Sequence, residues 1–420
     1  MRRYSGMAAR EARLALWMLI PAFLIVFAII LFPVFTNFWI SFKSVKLGEL
    51  RPPSPVVREQ VVKQPEQPGD ELIIRYRARN TSQNVALENV VMTIIVPEGL
   101  KPVDVGYDCS FRGSRLVCNF GRWKGGFNKT LEMRFEAEQS YFSENSGKGK
   151  VLGFTIDASA PNVLTNLKFT LKNYGFVLSG REFWPTLGAT VVYTFGGTIG
   201  SIILGLFAAQ LLNAKFLGKG ILRGLFLFPY VAPVIAVAFT WSFFLDPFSG
   251  TVNALLKQFG LMERSISFLS ERSFNIDLFG LEINLPLALS TVIAFESWRY
   301  FPFAFLFILA RLQAIPSQLY ESAEVDGAGA FRKFWNITIP QLMTVLTTLF
   351  LLRFMWTFNK FDDVFLLTGG AAGTKTLPIS VYDNAFGRAD IGAGAATAVL
   401  LFLFLAVFLI LYFHYSPEEQ

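Results

Sequence analysis

Two sets of side chains combine charge, hydrogen-bonding capacity and aromatic surface inside otherwise apolar runs. Glu296, Arg299, Tyr300 and Phe303 stand at i, i+3, i+4 and i+7, so any helix that carries them puts them on one face. Arg353, Trp356, Thr357 and Lys360 repeat that spacing, and Asn359, Asp362 and Asp363 follow close by. Side chains of these types recognise rather than react. Aromatic faces suit the CH surface of a sugar ring, and the polar groups suit its hydroxyls. Ionisable groups within apolar runs are costly, commonly a few kcal/mol each, and usually face a water-filled cavity or a partner. Two plainer arrangements stand beside this one. Glu296 and Arg299 can pair along their own helix, and Lys360 and Asp362 can reach back to a polar boundary. No Ser/His/Asp or Cys/His set supports nucleophilic chemistry, because the single histidine, His414, ends the last apolar run. No G-x-x-x-x-G-K-[ST] run is present to cradle a nucleotide's phosphates.

The elements that must position these residues are long apolar segments. The 420 residues are 53% hydrophobic and include 45 Phe, and mean hydropathy is +0.44. These values exclude an ordinary soluble domain. Apolar runs at 14–41, 185–212, 220–245, 285–312, 338–367 and 391–414 each exceed the roughly 20 residues that cross a hydrocarbon core. The first is too long for a secretory leader and reads as a retained helix despite Pro21 and Pro33. Arg2, Arg3, Arg10 and Arg13 precede it; Lys215, Lys219 and Arg223 sit at the second-to-third turn; Arg311, Arg332 and Lys333 flank the fourth-to-fifth connection. All fall on the cytoplasmic side if the N-terminus (1–13) and the tail (415–420) are cytoplasmic. The net charge of +7 then reflects membrane flanks, and no basic stripe interleaved with aromatics points to nucleic acid.

The second run carries Gly196, Gly197, Gly200, Ser201 and Gly205, a stripe that allows close helix packing in lipid. The third contains Pro229 and Pro233, which predict a kink. The stretch 246–284 reads as an outer loop with a short helix at 253–259, and 368–390 as a Gly-rich polar outer loop. Between the first two runs the composition changes. A Pro-rich spacer is expected at 43–68, an all-β domain at 69–158 and a connector at 159–184. Leu72–Arg79 alternates and Val85–Val96 is rich in Val and Ile. Pro97-Glu98-Gly99 reads as a turn, and Arg112-Gly113-Ser114 as a hairpin tip between Cys109 and Cys118. These are the two cysteines of the chain, and outside the cytoplasm they are expected to form a disulfide. Asn80-Thr81-Ser82 and Asn128-Lys129-Thr130 match the glycosylation sequon. No His, Asp or Glu cluster has metal-ligand spacing.

A polar island, Tyr320–Leu342, separates the fourth and fifth runs. Ser317 is placed to cap a helix after Pro316, Gly327 and Gly329 interrupt it, and Phe331–Ile337 can restart one. The spacing Glu321-Ser322-Ala323, Gly327, Ile337, Ile339-Pro340 resembles the coupling loop of ABC (ATP-binding-cassette) importer permeases, with Ser322 and Ile339 as mild departures. The resemblance covers 14–45 and 181–414, the permease core running from 185 to 414 with its coupling loop at 313–342, and is to the MalF-like carbohydrate permeases. It implies six transmembrane helices in an all-α polytopic type I permease core. It also implies a second homologous permease, two copies of an ABC ATPase subunit that bind ATP and Mg, and an extracytoplasmic sugar-binding protein. Glu321, Ser322, Ala323, Asp326, Gly327, Ala328, Ile337 and Pro340 would then engage the ATPase. Aligned through Trp298, Pro302 and Phe358-Asn359, the eight residues of the opening paragraph match positions that line the sugar in the maltose permease, which uses Asn, Gly and Ser where this chain has charges. The segment 69–158 resembles immunoglobulin-like sandwich repeats of prokaryotic surface proteins. Other solutes, such as glycerol phosphate or peptides, remain alternatives, as does a membrane-anchored surface receptor.

Overall fold

The computed structural model describes residues 6–83, 85–106, 108–144, 152–214, 216–278 and 281–415. Arg2, Arg3, Lys215, the side chains of Arg10 and Arg13 and the tail beyond Tyr415 lie outside the described residues. The chain divides into two compact units. One is helical and comprises the chain up to Ser41, Leu171–Arg388 and the chain from Ala393; the other is Phe42–Thr170 with Ala389–Gly392.

Among the described residues, five helices are long and apolar enough to cross a membrane: α1 (Leu14–Ser41), α2 (Phe183–Asn213), α5 (Leu287–Gln313), α7 (Ala330–Phe358) and α10 (Ile391–Tyr415). The third expected run, 220–245, is a bent pair, α3 (Lys219–Val231) and α4 (Val234–Phe244), whose axes turn by 94°, in keeping with the kink its prolines predict. Pro233 causes the break: it has no N–H to continue the ladder, and its ring disfavours helical backbone at Ala232, which is extended. The fifth run ends earlier than its hydropathy suggests. Helix stops at Phe358, and a separate short helix α8 (Asp362–Thr368) follows.

Proline leaves a second mark. Pro33 and Pro340 each follow a five-residue π-helical turn, Phe27–Leu31 and Phe334–Thr338. A wider turn relieves the clash between the proline ring and the preceding turn's carbonyl without ending the helix. α1 exposes apolar side chains on all sides, Trp17, Phe23, Ile29 and Phe35 among them, as a lipid-embedded helix does.

The glycine stripe of α2 lies against α5. A Cβ on Gly205 would stand 2.7 Å from Ala304 Cβ, and one on Gly197 would stand 2.6 Å from Glu296 Cγ. Real contacts are longer than this, so only glycine permits the approach.

The second unit is a two-sheet β sandwich. Its strands are β1 (Pro55–Lys63), β2 (Glu71–Asn80), β3 (Leu87–Ile95), β4 (Leu100–Asp104), β5 (Asp108–Arg112), β6 (Arg115–Trp123), β7 (Asn128–Ala137) and β8 (Phe154–Ser159). They form antiparallel sheets in the orders β1-β2-β7-β4 and β5-β6-β3-β8. Period-two alternation sends Ile74, Tyr76, Met92, Ile94, Met133 and Phe135 into one shared core, with Trp123. The expected spacer at 43–68 is therefore partly strand: β1 begins at Pro55 and pairs as an edge strand with β2, a place where proline's missing N–H costs no ladder bond. Gly99, at φ +86, carries the chain from β3 in one sheet to β4 in the other, beneath Ser140 and Tyr141 where any side chain would collide. Glu59 accepts the Leu152 N–H, and burial pushes its carboxyl above the usual range. Asn80 is buried with its amide donating to Val85 and Lys124 carbonyls, so the first sequon is closed in the folded domain.

Gly113 (φ +62) and Ser114 form the two-residue tip that pairs Arg112 with Arg115 and sets Cys109 opposite Cys118. The two sulfurs are bonded. Closing so short a loop should contribute about 2–3 kcal/mol by restricting the unfolded chain. Replacing both cysteines by alanine is expected to speed amide exchange in β5 and β6 on the order of a hundredfold. Unchanged exchange would mean that the hairpin is held by its ladder alone.

Candidate functional site

The island connecting α5 to α7 begins with α6 (Ser317–Val325). Pro316, not Ser317, holds the N-cap position, and no side chain caps it. The C-terminus explains the spacing seen in the sequence. The Ala328 N–H donates to the Ala323 carbonyl at 2.8 Å and the Gly327 N–H to Glu324 at 3.0 Å, with Gly327 at φ +77. These two bonds and the left-handed glycine make a Schellman closure. Ala323 and Gly327 are thus fixed four apart because one supplies the third-last carbonyl and the other the only residue type at ease in the left-handed position. Lys333 Nζ reaches Glu324 at 2.6 Å, and the Tyr320 and Thr338 hydroxyls meet at 3.0 Å, so α6 is tied to the start of α7. Glu321, Ser322, Asp326, Gly327 and Pro340 are exposed, and Ala323, Ala328 and Ile337 are half-buried. Val325, Phe331 and Trp335 add exposed apolar surface.

The second set converges from four helices. Glu296 of α5 is fully buried. Its carboxylate accepts from Arg353 of α7 at 2.6 Å, from the Thr357 hydroxyl at 3.0 Å and from Tyr193 of α2 at 3.2 Å. Glu296 therefore pairs across helices, not with Arg299 along its own. Arg299 turns to Asp363 of α8, at 4.0 Å, and donates to the Ala232 carbonyl at 3.4 Å. That carbonyl lies at the break between α3 and α4, so Arg299 serves backbone that the proline has freed. Lys360 donates to the Tyr300 hydroxyl and stands 3.3 Å from Asp362 and 3.9 Å from Asp363. The Tyr300 ring lies 4.3 Å from the Arg353 guanidinium carbon. Three carboxylates thus answer three cations. Their hydrogen bonding is incomplete: Arg299 Nε and Nη1, Arg353 Nε and both Asp363 oxygens stand near opposite charge but have no hydrogen-bond partner among the described residues.

Beside this closed network runs an open aromatic strip. Phe303 lies 5.2 Å from Trp356 and 6.2 Å from Tyr230, ring centre to ring centre, and Tyr230 lies 5.9 Å from Tyr300. Trp356 is 48% exposed and Tyr230 41%. The structure therefore brings the eight residues of the two sequence sets into one neighbourhood, with Asp362 and Asp363 that follow them in the sequence, and adds Tyr193 and Tyr230. Tyr193 and Tyr230 lie on other helices, and nothing local marks them.

A bundle of apolar helices around a polar network, with a glycine-closed elbow between two of them, defines a membrane permease. Residues 201–418 match the family described as binding-protein-dependent transport system inner membrane component, and the chain belongs to that family. It is accordingly a multi-pass inner-membrane protein and a transport component. Among individual relatives, it is 36% identical over 248 residues to the inner membrane ABC transporter permease protein YcjO of Escherichia coli (strain K12), covering 57% of this chain and 77% of that protein. It is 35% identical over 243 residues to the trehalose/maltose transport system permease protein MalF of Thermococcus litoralis, covering 58% and 77%. It is 33% identical over 237 residues to the sn-glycerol-3-phosphate transport system permease protein UgpA of Agrobacterium fabrum, covering 55% and 74%. A bacterial ABC transporter involved in the import of the acidic polysaccharide alginate shares the fold, at TM-score 0.52 and 18% identity over 60% of this chain and 84% of that one.

Proposed function

We propose that this permease translocates a sugar or oligosaccharide for an ATP-driven ABC importer. The observation that carries the reading is the polar network around Glu296 edged by the open strip Tyr230, Phe303 and Trp356. Ring faces of that kind receive the CH surface of a sugar, and the spare donors of Arg299 suit its hydroxyls. Glu296, Arg299, Tyr300, Phe303, Arg353, Trp356, Thr357 and Lys360 line the solute's path. The relative named for trehalose and maltose transport supports the same solute class. A phosphate-bearing solute is the second reading, favoured by the same arginine donors that lack a hydrogen bond and by the glycerol-phosphate relative.

In this reading Glu321, Ser322, Ala323, Asp326, Gly327, Ala328, Ile337 and Pro340 form a cytoplasmic elbow that docks in the ATPase. Two ATPase copies bind ATP and Mg, a second homologous permease completes the pathway, and an extracytoplasmic binding protein delivers the solute. The termini are cytoplasmic and residues 43–184 lie outside. The Cys109–Cys118 bond supports that side, since cytosolic thiols are kept reduced. The sandwich takes the immunoglobulin-like role of a binding or stiffening module.

Trp356→Ala tests the path. Losing an aromatic contact worth about 1–1.5 kcal/mol is expected to raise the KM for uptake about tenfold and to weaken ligand-stimulated ATPase activity of the reconstituted complex. Unchanged uptake and stimulation would make the α7 face merely structural.

A further inference from the structure

The outer face of one sandwich sheet carries a charge pattern that transport through the helices does not use. Across β1, β2 and β7 its side chains fall in columns: Val56, Arg79 and Asn128; Arg58, Arg77 and Thr130; Gln60, Arg75 and Glu132. One end of the face is neutralised internally, since Glu132 lies 3.4 Å from Arg75 and 3.6 Å from Arg134. The other end is not. Arg58 and Arg77 are directly opposed across the ladder, Arg79 is two residues along from Arg77, and all three are exposed. None of the three has an ion pair or side-chain hydrogen bond among the described residues. Like charges directly opposed on antiparallel strands repel, and no carboxylate among the described residues pairs with them to offset the repulsion.

The same end of the face is hollowed. A cavity of about 170 Å³ is lined by Val56, Arg58, Arg77, Arg79 and Asn128. A second, of about 290 Å³, shares Arg79 and Asn128 and adds the polar side chains of Thr81 and Gln83. No carboxylate lines either. Arginine's planar fork matches the paired oxygens of a carboxylate, phosphate or sulfate, and the neighbouring amides can fix the rest of a small molecule. A protein partner is disfavoured, because such contacts cover roughly 800 Å² per side around an apolar centre, and the centre here is cationic.

We propose that the sandwich domain binds a small solute through an oxyanion group held between Arg58, Arg77 and Arg79, with Asn128 closing the side of the site. The full chain in detergent at low ionic strength, titrated with sodium sulfate or sodium phosphate against sodium chloride of equal ionic strength, tests this. Saturable binding of the divalent anions and a rise in the sandwich's melting point are expected. Arg77→Gln and Arg58→Gln are each expected to weaken that binding by about tenfold. Arg75→Gln, whose guanidinium Glu132 already holds, should change it by less than about twofold. Without anion, Arg77→Gln should melt no lower than the parent, since it relieves the opposed charges, so lost binding cannot be mistaken for lost fold. Equal effects of sulfate and chloride, or full affinity in Arg77→Gln, would overturn the proposal. So would binding to phosphatidylglycerol vesicles without saturable uptake of sulfate or phosphate, which would assign the face to a lipid surface.

Discussion

Glu296→Ala is expected to destabilise the helical unit by about 3–5 kcal/mol, because it strands a buried cation. The Arg353 side chain is 2% exposed, and its Nη2 would lose the 2.6 Å bond that compensates its charge. Tyr193 and Thr357 would lose an acceptor in the same step. Arg353→Met should cost a comparable amount by leaving the carboxylate uncovered. The double variant, Glu296→Leu with Arg353→Met, removes both charges at once and should recover most of the loss, since replacing a buried pair by apolar groups is often nearly neutral. Thermal melting of the four proteins in detergent gives the coupling energy directly, and simple additivity of the two single losses would refute the pairing. Uptake by the double variant separates two roles. A double variant that melts normally but transports nothing places the network in the solute's path, whereas one that also transports normally makes it packing alone.

What the sequence disclosed and what it withheld follow from the range of the interactions. The elbow was legible because its constraints are local: Ala323, Gly327 and Ala328 close one helix end within six residues. The Gly113–Ser114 hairpin tip and the inward alternation of β2 were legible for the same reason. The helix face from Glu296 to Phe303 was also readable, since 3.6-residue periodicity fixes it. Its partners were not. Glu296 and Arg353 lie 57 residues apart, and only the tertiary packing of α5 on α7 decides that they meet instead of Glu296 and Arg299. Hydropathy also blurred helix ends. It ran α3 and α4 together, although Pro229 and Pro233 marked the bend between them, and carried α7 through Asn359–Phe361 into α8, because apolar composition persists where hydrogen bonding stops. Two elements hid behind polar composition. β1 was masked by the prolines around it, and the helix α9 (Leu377–Tyr382) by the glycines before it, although Pro378 at its first turn is a helix-start signal.

Gly327→Pro is expected to abolish uptake while leaving the protein inserted and assembled. Two independent features of the elbow forbid proline. Its ring fixes φ near −65°, against the +77° that Gly327 adopts, and it removes the N–H that Glu324 accepts at 3.0 Å. Crowding plays no part, since nothing lies within 4 Å of where a Cβ would stand. Gly327→Ala therefore isolates the backbone effect. Alanine retains the N–H and incurs only the left-handed strain, about 1 kcal/mol, so uptake should fall by a few-fold at most. α6 has no fully buried residue of its own and meets the helical core through the half-buried Tyr320, seven residues before Gly327, so neither variant should disturb the bundle, and membrane abundance and co-purification of partners provide the check. If Gly327→Pro co-purifies with its ATPase but the binding protein no longer stimulates hydrolysis, the elbow transmits force through its shape. If the ATPase is lost, the closure is needed for docking itself. Normal uptake by Gly327→Pro would show that the glycine-closed turn is dispensable, and the coupling role of the whole segment from Glu321 to Pro340 would fail with it.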